Sequence, residues 1–334
     1  MPELRIDPLT GLRTIVAGDR ADRPGGEFRA EPQPPIDAER DPFLEGHEDQ
    51  TPPEIYALRP DGGAADSPGW RVRVVPNLYP ALEGPHGGGD DADPLSSGRG
   101  EPDLFAARPA GGAHEVIVNT PQPVASLSAL DEQALSTAME VWRERFRAHG
   151  DAACVHLIVN EGRAAGASLP HTHAQLYALP FVPAAIARER ERFTAHAERT
   201  QGRNLLADLL QEEVRRRVRI VAIDSEAVAL CPFASRMPYQ VQLVPRRERP
   251  RFEDDGPLAS ALLLDVMRRL DGVLGAVPPL NLWVRTAPRG AEHFCWRIDV
   301  VPRLAQLAGL EVGAGLGLNP LAPERAAEAL RAIA

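Results

Sequence analysis

The chain has little of what secreted, membrane-spanning or nucleic-acid-binding proteins depend on. Its 334 residues include three cysteines, Cys154, Cys231 and Cys295. Being odd in number and far apart, they make no disulfide framework and fit a reducing cytoplasm. No apolar run approaches the roughly 18 residues of a membrane span, and the N-terminus lacks a basic stretch followed by an apolar one, so a cytoplasmic protein without a membrane partner is expected. Positive charge is in deficit. The formal net charge of -10 argues against a nucleic-acid backbone as the main partner, while leaving room for a locally basic pocket. A hydrophobic content of 43% with 25% charged residues is that of a globular protein, long enough for one large domain or two smaller ones.

What is present is concentrated in Ser168-Leu-Pro-His-Thr-His-Ala-Gln175. Read as a strand, His171, His173 and Gln175 lie two residues apart and project from one face; read as a helix they would fan out. The apolar residues Leu176, Tyr177, Leu179 and Phe181, with Pro170, Pro180 and Pro183, favour the strand. Val155–Asn160 reads as a second strand, joined through the Gly-containing turn Glu161–Gly166. A neutral imidazole is a nucleophile near pH 7 toward phosphorus as well as carbonyl carbon. A neighbouring Gln offers an N–H donor to phosphoryl oxygens with no proton to lose. Asn160, Ser168 and the turn amides add donors for an anion. Two histidines on a strand also suit an ordinary half-buried pair or two ligands of a metal, because so short a motif has low specificity.

The longer pattern Asn160-x-Gly-x-x-x-Gly-x-Ser-x-x-His-x-His-x-Gln175 closely resembles the active-site segment of galactose-1-phosphate uridylyltransferases and of the related ADP-glucose phosphorylases. Both belong to the histidine-triad superfamily. Further matches run in order along nearly the whole chain: Leu4 to Gly11 with Arg20 and Arg23, Gly46 to Glu54, Arg73 to Leu82, His114 to Val118, Val300 to Arg303 and Leu307 to Gly313. The resemblance implies a nucleotidyltransferase. It would move a nucleoside monophosphate, UMP first, from a nucleotide sugar to a sugar 1-phosphate through a covalent nucleotidyl-histidine. Adenylyl transfer to phosphate, as in ADP-glucose phosphorylase, is the alternative, and a non-catalytic nucleotide-sugar-binding relative or a metal-dependent hydrolase stay open beside it. The resemblance makes His173 the nucleophile, Gln175 the donor to the phosphoryl oxygens and His171 the residue that orients His173. It brings Arg20 and Arg23 to the nucleotide phosphates, Asn77 to the base or ribose, and Asn160 and Ser168 to the phosphates. It also implies a homodimer in galactose and carbohydrate metabolism.

One departure stands out. Where relatives often carry Cys-x-x-Cys, two ligands of a structural zinc completed by histidines matching His114 and His171, this chain has Asp41-Pro-Phe-Leu44. Leucine cannot ligate, and Asp41 with His114 and His171 would make a weaker, more open site. No cofactor is therefore expected, and the two histidines become hydrogen-bonding scaffold. A glutamate joining a second metal site in some relatives is matched by Glu189, but the His-x-His that completes that site is replaced by Cys295-Trp-Arg297.

The expected fold is α+β: a duplicated histidine-triad-like architecture, mainly antiparallel sheet in a half-barrel with helices packed on it. Strand His114–Val118, a helix opened by Ser128 and running to His149, strand Val155–Asn160 and strand His171–Leu179 are echoed by Gln240–Pro245, helix Pro257–Leu274, Leu280–Arg285 and Phe294–Pro302. Residues 1–183 would be the catalytic half and 184–334 a degenerate half. Leu135, Met139, Trp142 and Phe146 share one face of the first helix and belong to the core. The Gly- and Asp-rich stretch Glu83–Asp103 reads as a surface loop.

Overall fold

Alternation of apolar and polar residues along short segments, interrupted by amphipathic helices, gives a sheet with one greasy face. The computed structural model describes residues 1–18, 28–85, 104, 105, 107, 109–256 and 258–333. Arg20, Arg23 and most of the loop expected at Glu83–Asp103 lie outside the described residues. A small sheet joins β1 (Glu3–Ile6), β2 (Arg13–Val16) and β13 (Gly317–Asn319), tying an early segment to a late one. The main sheet has ten strands among the described residues. Its order is β3 (Tyr56–Leu58), β4 (Val72–Pro76), β5 (Ala113–Val118), β7 (His173–Leu179), β6 (Cys154–Glu161), then β11 (Leu280–Arg285), β12 (Arg297–Pro302), β10 (Val241–Pro245), β9 (Ala227–Leu230) and β8 (Ile220–Ile223). Every neighbouring pair in it is antiparallel.

The duplication is visible in that order. Strand β5, helix α1 (Glu132–Ala148), β6 and β7 recur as β10, helix α4 (Ser260–Leu274), β11 and β12. The units meet where β6 runs beside β11, with Asn160 opposite Asn281. Ala174, Leu176 and Ala178 of β7 and Ile298 and Val300 of β12 face the helices, in one core with Leu135, Met139, Trp142 and Phe146 of α1 and Leu263, Met267 and Leu270 of α4. Each of the larger aliphatic, methionine and phenylalanine side chains among them contributes about 1.5–3 kcal/mol on burial, so these stripes hold the helices to the sheet. The alternate residues, His173 and Gln175 on β7 and Arg297 and Asp299 on β12, face the other way. Over the second unit that open face is covered by α2 (Ala184–Thr200) and α3 (Leu205–Arg216), through Phe193, Leu206 and Leu210 packed with Phe294. Helices α5 (Gly309–Ala314) and α6 (Pro323–Ala332) follow. No described helix is long and apolar enough to cross a membrane.

Several boundaries differ from the sequence reading, each for a local reason. Helix α1 is opened by Asp131, whose carboxylate accepts from Ala134 N at 2.7 Å, not by Ser128. Ser128 sits in the preceding 3-10 turn capped by Ser126. Helix α4 begins at Ser260 because Ala259, at φ 73°, adopts a left-handed conformation no helix continues through. Strands β7 and β12 start at His173 and Arg297 instead of His171 and Phe294. The residues just before them give their amides to loops: Thr172 N to Val124 O at 2.8 Å, and Trp296 N to Arg249 O at 2.9 Å.

Candidate active site

The turn between β6 and β7 is shaped by two glycines at positive φ, Gly162 (77°) and Gly166 (91°). A Cβ on Gly162 would come within 2.9 Å of Gln33 Nε2 and 3.0 Å of Pro279 Cβ, so conformation and space both require glycine there. Out of this turn comes His171, followed by His173 at the first position of β7.

His171 is 1% exposed and both its ring nitrogens face acceptors: Asp41 Oδ2 at 2.6 Å from Nδ1, and Thr120 O at 2.9 Å from Nε2. A ring held between a carboxylate and a carbonyl is fixed from both sides, in a buried pair with Asp41. Its backbone carbonyl receives the next bond. His173 Nδ1 donates to His171 O at 2.7 Å, leaving His173 Nε2 as the bare nitrogen. Burial lowers the His173 pKa below the ordinary histidine value, so the ring is neutral near pH 7 with a lone pair on Nε2. Phe43 packs edge-on against both rings, at 6.1 and 5.2 Å between centroids.

Gln175 is oriented with similar economy. Ala81 N donates to His114 Nδ1 at 3.1 Å, so the proton of His114 sits on Nε2, which donates to Gln175 Oε1 at 3.0 Å. Burial also depresses the His114 pKa, in keeping with a neutral ring. Tyr177 OH donates to the same oxygen at 3.1 Å, and its ring stacks on His114 at 4.1 Å. With Oε1 occupied twice, the Gln175 NH₂ is left as a donor to whatever enters. Asn77 Nδ2 lies 3.1 Å from His114 Nε2, and Asn77 Oδ1 accepts from Tyr79 N.

These side chains close one end of a cavity of about 330 Å³. His173, Gln175, Ser168 and Asn77 line its polar end; Phe43, Pro52, Val75, Leu78 and Val116 make its apolar walls. Tyr79, 84% exposed, stands on the rim. Ser168 and Leu169 also line an adjoining cavity of about 590 Å³, which carries Arg29, Arg163 and Arg303. Asn160 is not on the wall of the first cavity. Its Oδ1 accepts from Asn281 Nδ2 at 2.8 Å, and the same NH₂ supports Ala165 O at 2.7 Å, so Asn160 sits behind the turn with its own NH₂ directed toward Gly166. The structure thus brings together His171, His173, Gln175, Asn77 and Ser168, and sets Asn160 one layer back. Tyr177 and Asn281 were not singled out from sequence. Tyr177 had a signal, two residues past Gln175 on the same strand face; Asn281 had none short of the β6–β11 register.

The donor set for a structural zinc does not fit. Asp41 and His171 are spent on each other, Thr120 O takes the second nitrogen of His171, and His114 is engaged at both nitrogens. No group of three His, Cys, Asp or Glu side chains is gathered for a metal among the described residues. At the second position known from relatives, the Arg297 guanidinium lies against Glu189 at 3.0 and 3.2 Å. Burial alone would raise the Glu189 pKa, but Arg297 and Arg285 outweigh it and hold the carboxyl below its usual range.

Next to Asn160, Glu161 is 1% exposed and accepts from Ser126 Oγ and Leu127 N, both at 2.7 Å. Burial pushes its pKa from 4.5 up to about 7, against those two bonds. The folded chain therefore holds this proton more tightly than the unfolded one. The stability gained by the neutral acid is whole below pH 4.5 and is lost as pH rises toward 7, by about 3 kcal/mol. Glu161→Gln, neutral throughout, is expected to flatten this slope and to melt at a higher temperature than the wild type at pH 8. Thermal melts between pH 5 and 8 check it; parallel profiles for the two proteins would contradict it.

A neutral imidazole with its far nitrogen tied back, an amide turned outward beside it and an apolar slot ahead are laid out as a nucleotidyltransferase would use them. The family model described as "Galactose-1-phosphate uridyl transferase, N-terminal domain" matches residues 1–183, and the chain belongs to that family. Among its relatives, ADP-glucose phosphorylase of Arabidopsis thaliana is 27% identical over 99% of this chain and 93% of its own length. Galactose-1-phosphate uridylyltransferase of Thermotoga maritima is 27% identical over 76% of this chain and 82% of its own. The crystal structure of the Arabidopsis ADP-glucose phosphorylase with bound ADP-glucose is similar with a TM-score of 0.80 at 25% identity, covering 100% of this chain and 99% of that one. A uridylyltransferase structure, at 24% identity and TM-score 0.72, covers 99% and 98% and shares the fold.

Proposed function

We propose that the chain carries UMP from a nucleoside diphosphate sugar to a sugar 1-phosphate, with His173 as the covalent carrier. The observation that carries this reading is the 2.7 Å bond from His173 Nδ1 to His171 O. It leaves Nε2 free to attack and gives the nucleotidylated ring, which becomes cationic, a carbonyl to lean on. In the first step the Nε2 lone pair bonds to the α-phosphorus, the bond from that phosphorus to the bridging oxygen breaks, and the sugar 1-phosphate leaves. In the second step a phosphate oxygen of the acceptor displaces His173. Neither step needs proton transfer, since the leaving group is already a stable anion, so the barrier is lowered by positioning and by donors to the phosphoryl oxygens. In this reading Gln175 NH₂ and Ser168, both on the cavity wall, take that task, and Asn160 supports the turn behind them. Asn77, Phe43 and Tyr79 are assigned to the base and ribose. The sequence contains no lysine, so any fixed cation on the phosphates is an arginine; Arg20 and Arg23 keep that role in this reading.

Uridylyl transfer is supported by the family model and by relatives named for it. A second reading, adenylyl transfer from ADP-glucose to inorganic phosphate, is supported by the full-length match to ADP-glucose phosphorylase. Both use the same nucleophile. The test is intact mass after incubation with UDP-glucose, UDP-galactose or ADP-glucose, with no acceptor present. A uridylyl adduct supports the first reading and an adenylyl adduct the second; no adduct from any donor, with sugar exchange proceeding, overturns the covalent scheme.

The proposal includes no resident metal, a cytoplasmic setting and a homodimer, the assembly its family resemblance implies. Prolonged dialysis against a chelator is accordingly expected to leave melting temperature and turnover unchanged. A fall in either that zinc restores would count against the Asp41 assignment below.

A further inference from the structure

The second unit has a pocket of its own, in the place that the His173 cavity occupies in the first. His173 opens β7 and Arg297 opens β12; Gln175 and Asp299 follow two residues later on the same open face. The sequence His171-x-His173-x-Gln175 is thus replaced by Cys295-x-Arg297-x-Asp299. Arginine is no nucleophile at any accessible pH, so this pocket cannot carry a nucleotide covalently. It is nonetheless a formed cavity of about 300 Å³, with Arg297, Asp299, Trp283, Arg285, Arg236 and Arg303 on its walls.

Its floor is only partly satisfied. Glu189 of α2 holds Arg297 at 3.0 Å, and Gln242 Nε2 donates to Asp299 Oδ1 at 2.7 Å. Four other atoms closed to solvent have no hydrogen-bond partner: Trp283 Nε1, Arg285 Nε, Arg297 Nε and Asp299 Oδ2. The last two lie 2.9 Å apart as an ion pair, and Arg285 Nε lies 3.4 Å from Glu189 Oε1, but neither pair is aligned as a hydrogen bond. Arg297 is 3% and Asp299 1% exposed, and buried polar atoms are rarely left unpaired without a reason. The remaining wall carboxylates are occupied, Asp7 by Leu9 N and Thr10 Oγ1, Glu311 by Ala308 N. Arg236 and Arg303 have no carboxylate within ion-pair range among the described residues.

An occupant that completes this set accepts from an indole and a guanidinium, donates to a carboxylate, and brings negative charge to two free arginines. Adjacent sugar hydroxyls both donate and accept at several neighbouring positions, more than the one or two hydroxyls of inorganic phosphate can serve, and a phosphate group answers the arginines bidentately. We propose that this pocket is a second, non-catalytic binding site for a phosphorylated sugar. It stands apart from the His173 assignment and survives or fails without it.

The test is calorimetric titration of the full chain with glucose 1-phosphate, with glucose and inorganic phosphate in parallel. The wild type is expected to bind glucose 1-phosphate, with or without a further event at the His173 cavity. Trp283→Phe and Arg236→Ala should each weaken one binding event at least tenfold, while nucleotidyl labelling by nucleotide sugar is unchanged. Inorganic phosphate or glucose alone should bind that site at least tenfold more weakly than glucose 1-phosphate. No binding by the wild type, binding untouched by both variants, or phosphate binding as tightly as the sugar phosphate would overturn the proposal. Should Trp283→Phe fail to fold by circular dichroism, Arg236→Ala, a half-buried residue at the cavity wall, decides alone.

Discussion

His173→Ala is expected to lower turnover by roughly four orders of magnitude or more, the scale seen when a covalent nucleophile is removed, and to abolish labelling by nucleotide sugar. No neighbour can stand in. His171 is locked between Asp41 and Thr120, His114 is neutral and bonded at both nitrogens, and Gln175 is not a nucleophile. The chain should survive the change. The side chain removed makes one backbone-directed bond, so the cost is that of an unpaired His171 carbonyl, about 1–3 kcal/mol, a modest fraction of a large core. Loss of activity with a retained melting transition therefore separates the chemical role from a structural one. Turnover within tenfold of wild type would remove His173 from the mechanism, whatever the nucleotide.

Sequence and structure agree where a pattern is carried by local period. The alternation through β7 placed His173 and Gln175 on one face, and the helical spacing of Leu135, Met139, Trp142 and Phe146 placed them in the core; the structure has both. The duplicated order was legible because β5-α1-β6-β7 and β10-α4-β11-β12 repeat the same element types at similar lengths. Element ends were less legible. Ser128 and Asp131 are both good cap residues, and only the tie of Ser128 to Ser126 Oγ at 2.9 Å decides between them. Least legible were contacts set by register between the units. That Asn281 would clamp Asn160 follows from β6 lying against β11, and nothing near either asparagine announces it. Asp41 is an intermediate case. The resemblance sets it near His171 as a candidate metal ligand, and the structure makes the two direct hydrogen-bond partners.

Asp41→Ala is the substitution expected to cost most in stability, about 3–5 kcal/mol, because it removes one partner of a buried carboxylate–histidine pair. Asp41 is 3% exposed; its Oδ2 meets His171 Nδ1 at 2.6 Å and its Oδ1 accepts from Phe43 N at 3.0 Å. Removing the carboxylate frees the His171 ring to turn, and releases the segment that presses Phe43 onto the His173 ring. Because the His171 carbonyl fixes His173, kcat should fall with stability, while KM for the donor, set by the apolar slot, changes less. Asp41→Asn separates charge from geometry. It keeps an acceptor for Phe43 N and adds no volume, but meets the His171 nitrogen without a counter-charge. Its loss is expected to lie between wild type and Asp41→Ala in both melting temperature and kcat. If Asp41→Ala melts within about 1 kcal/mol of wild type and labels His173 at the wild-type rate, the pair is a bystander. The site would then hold its nucleophile by the strand alone.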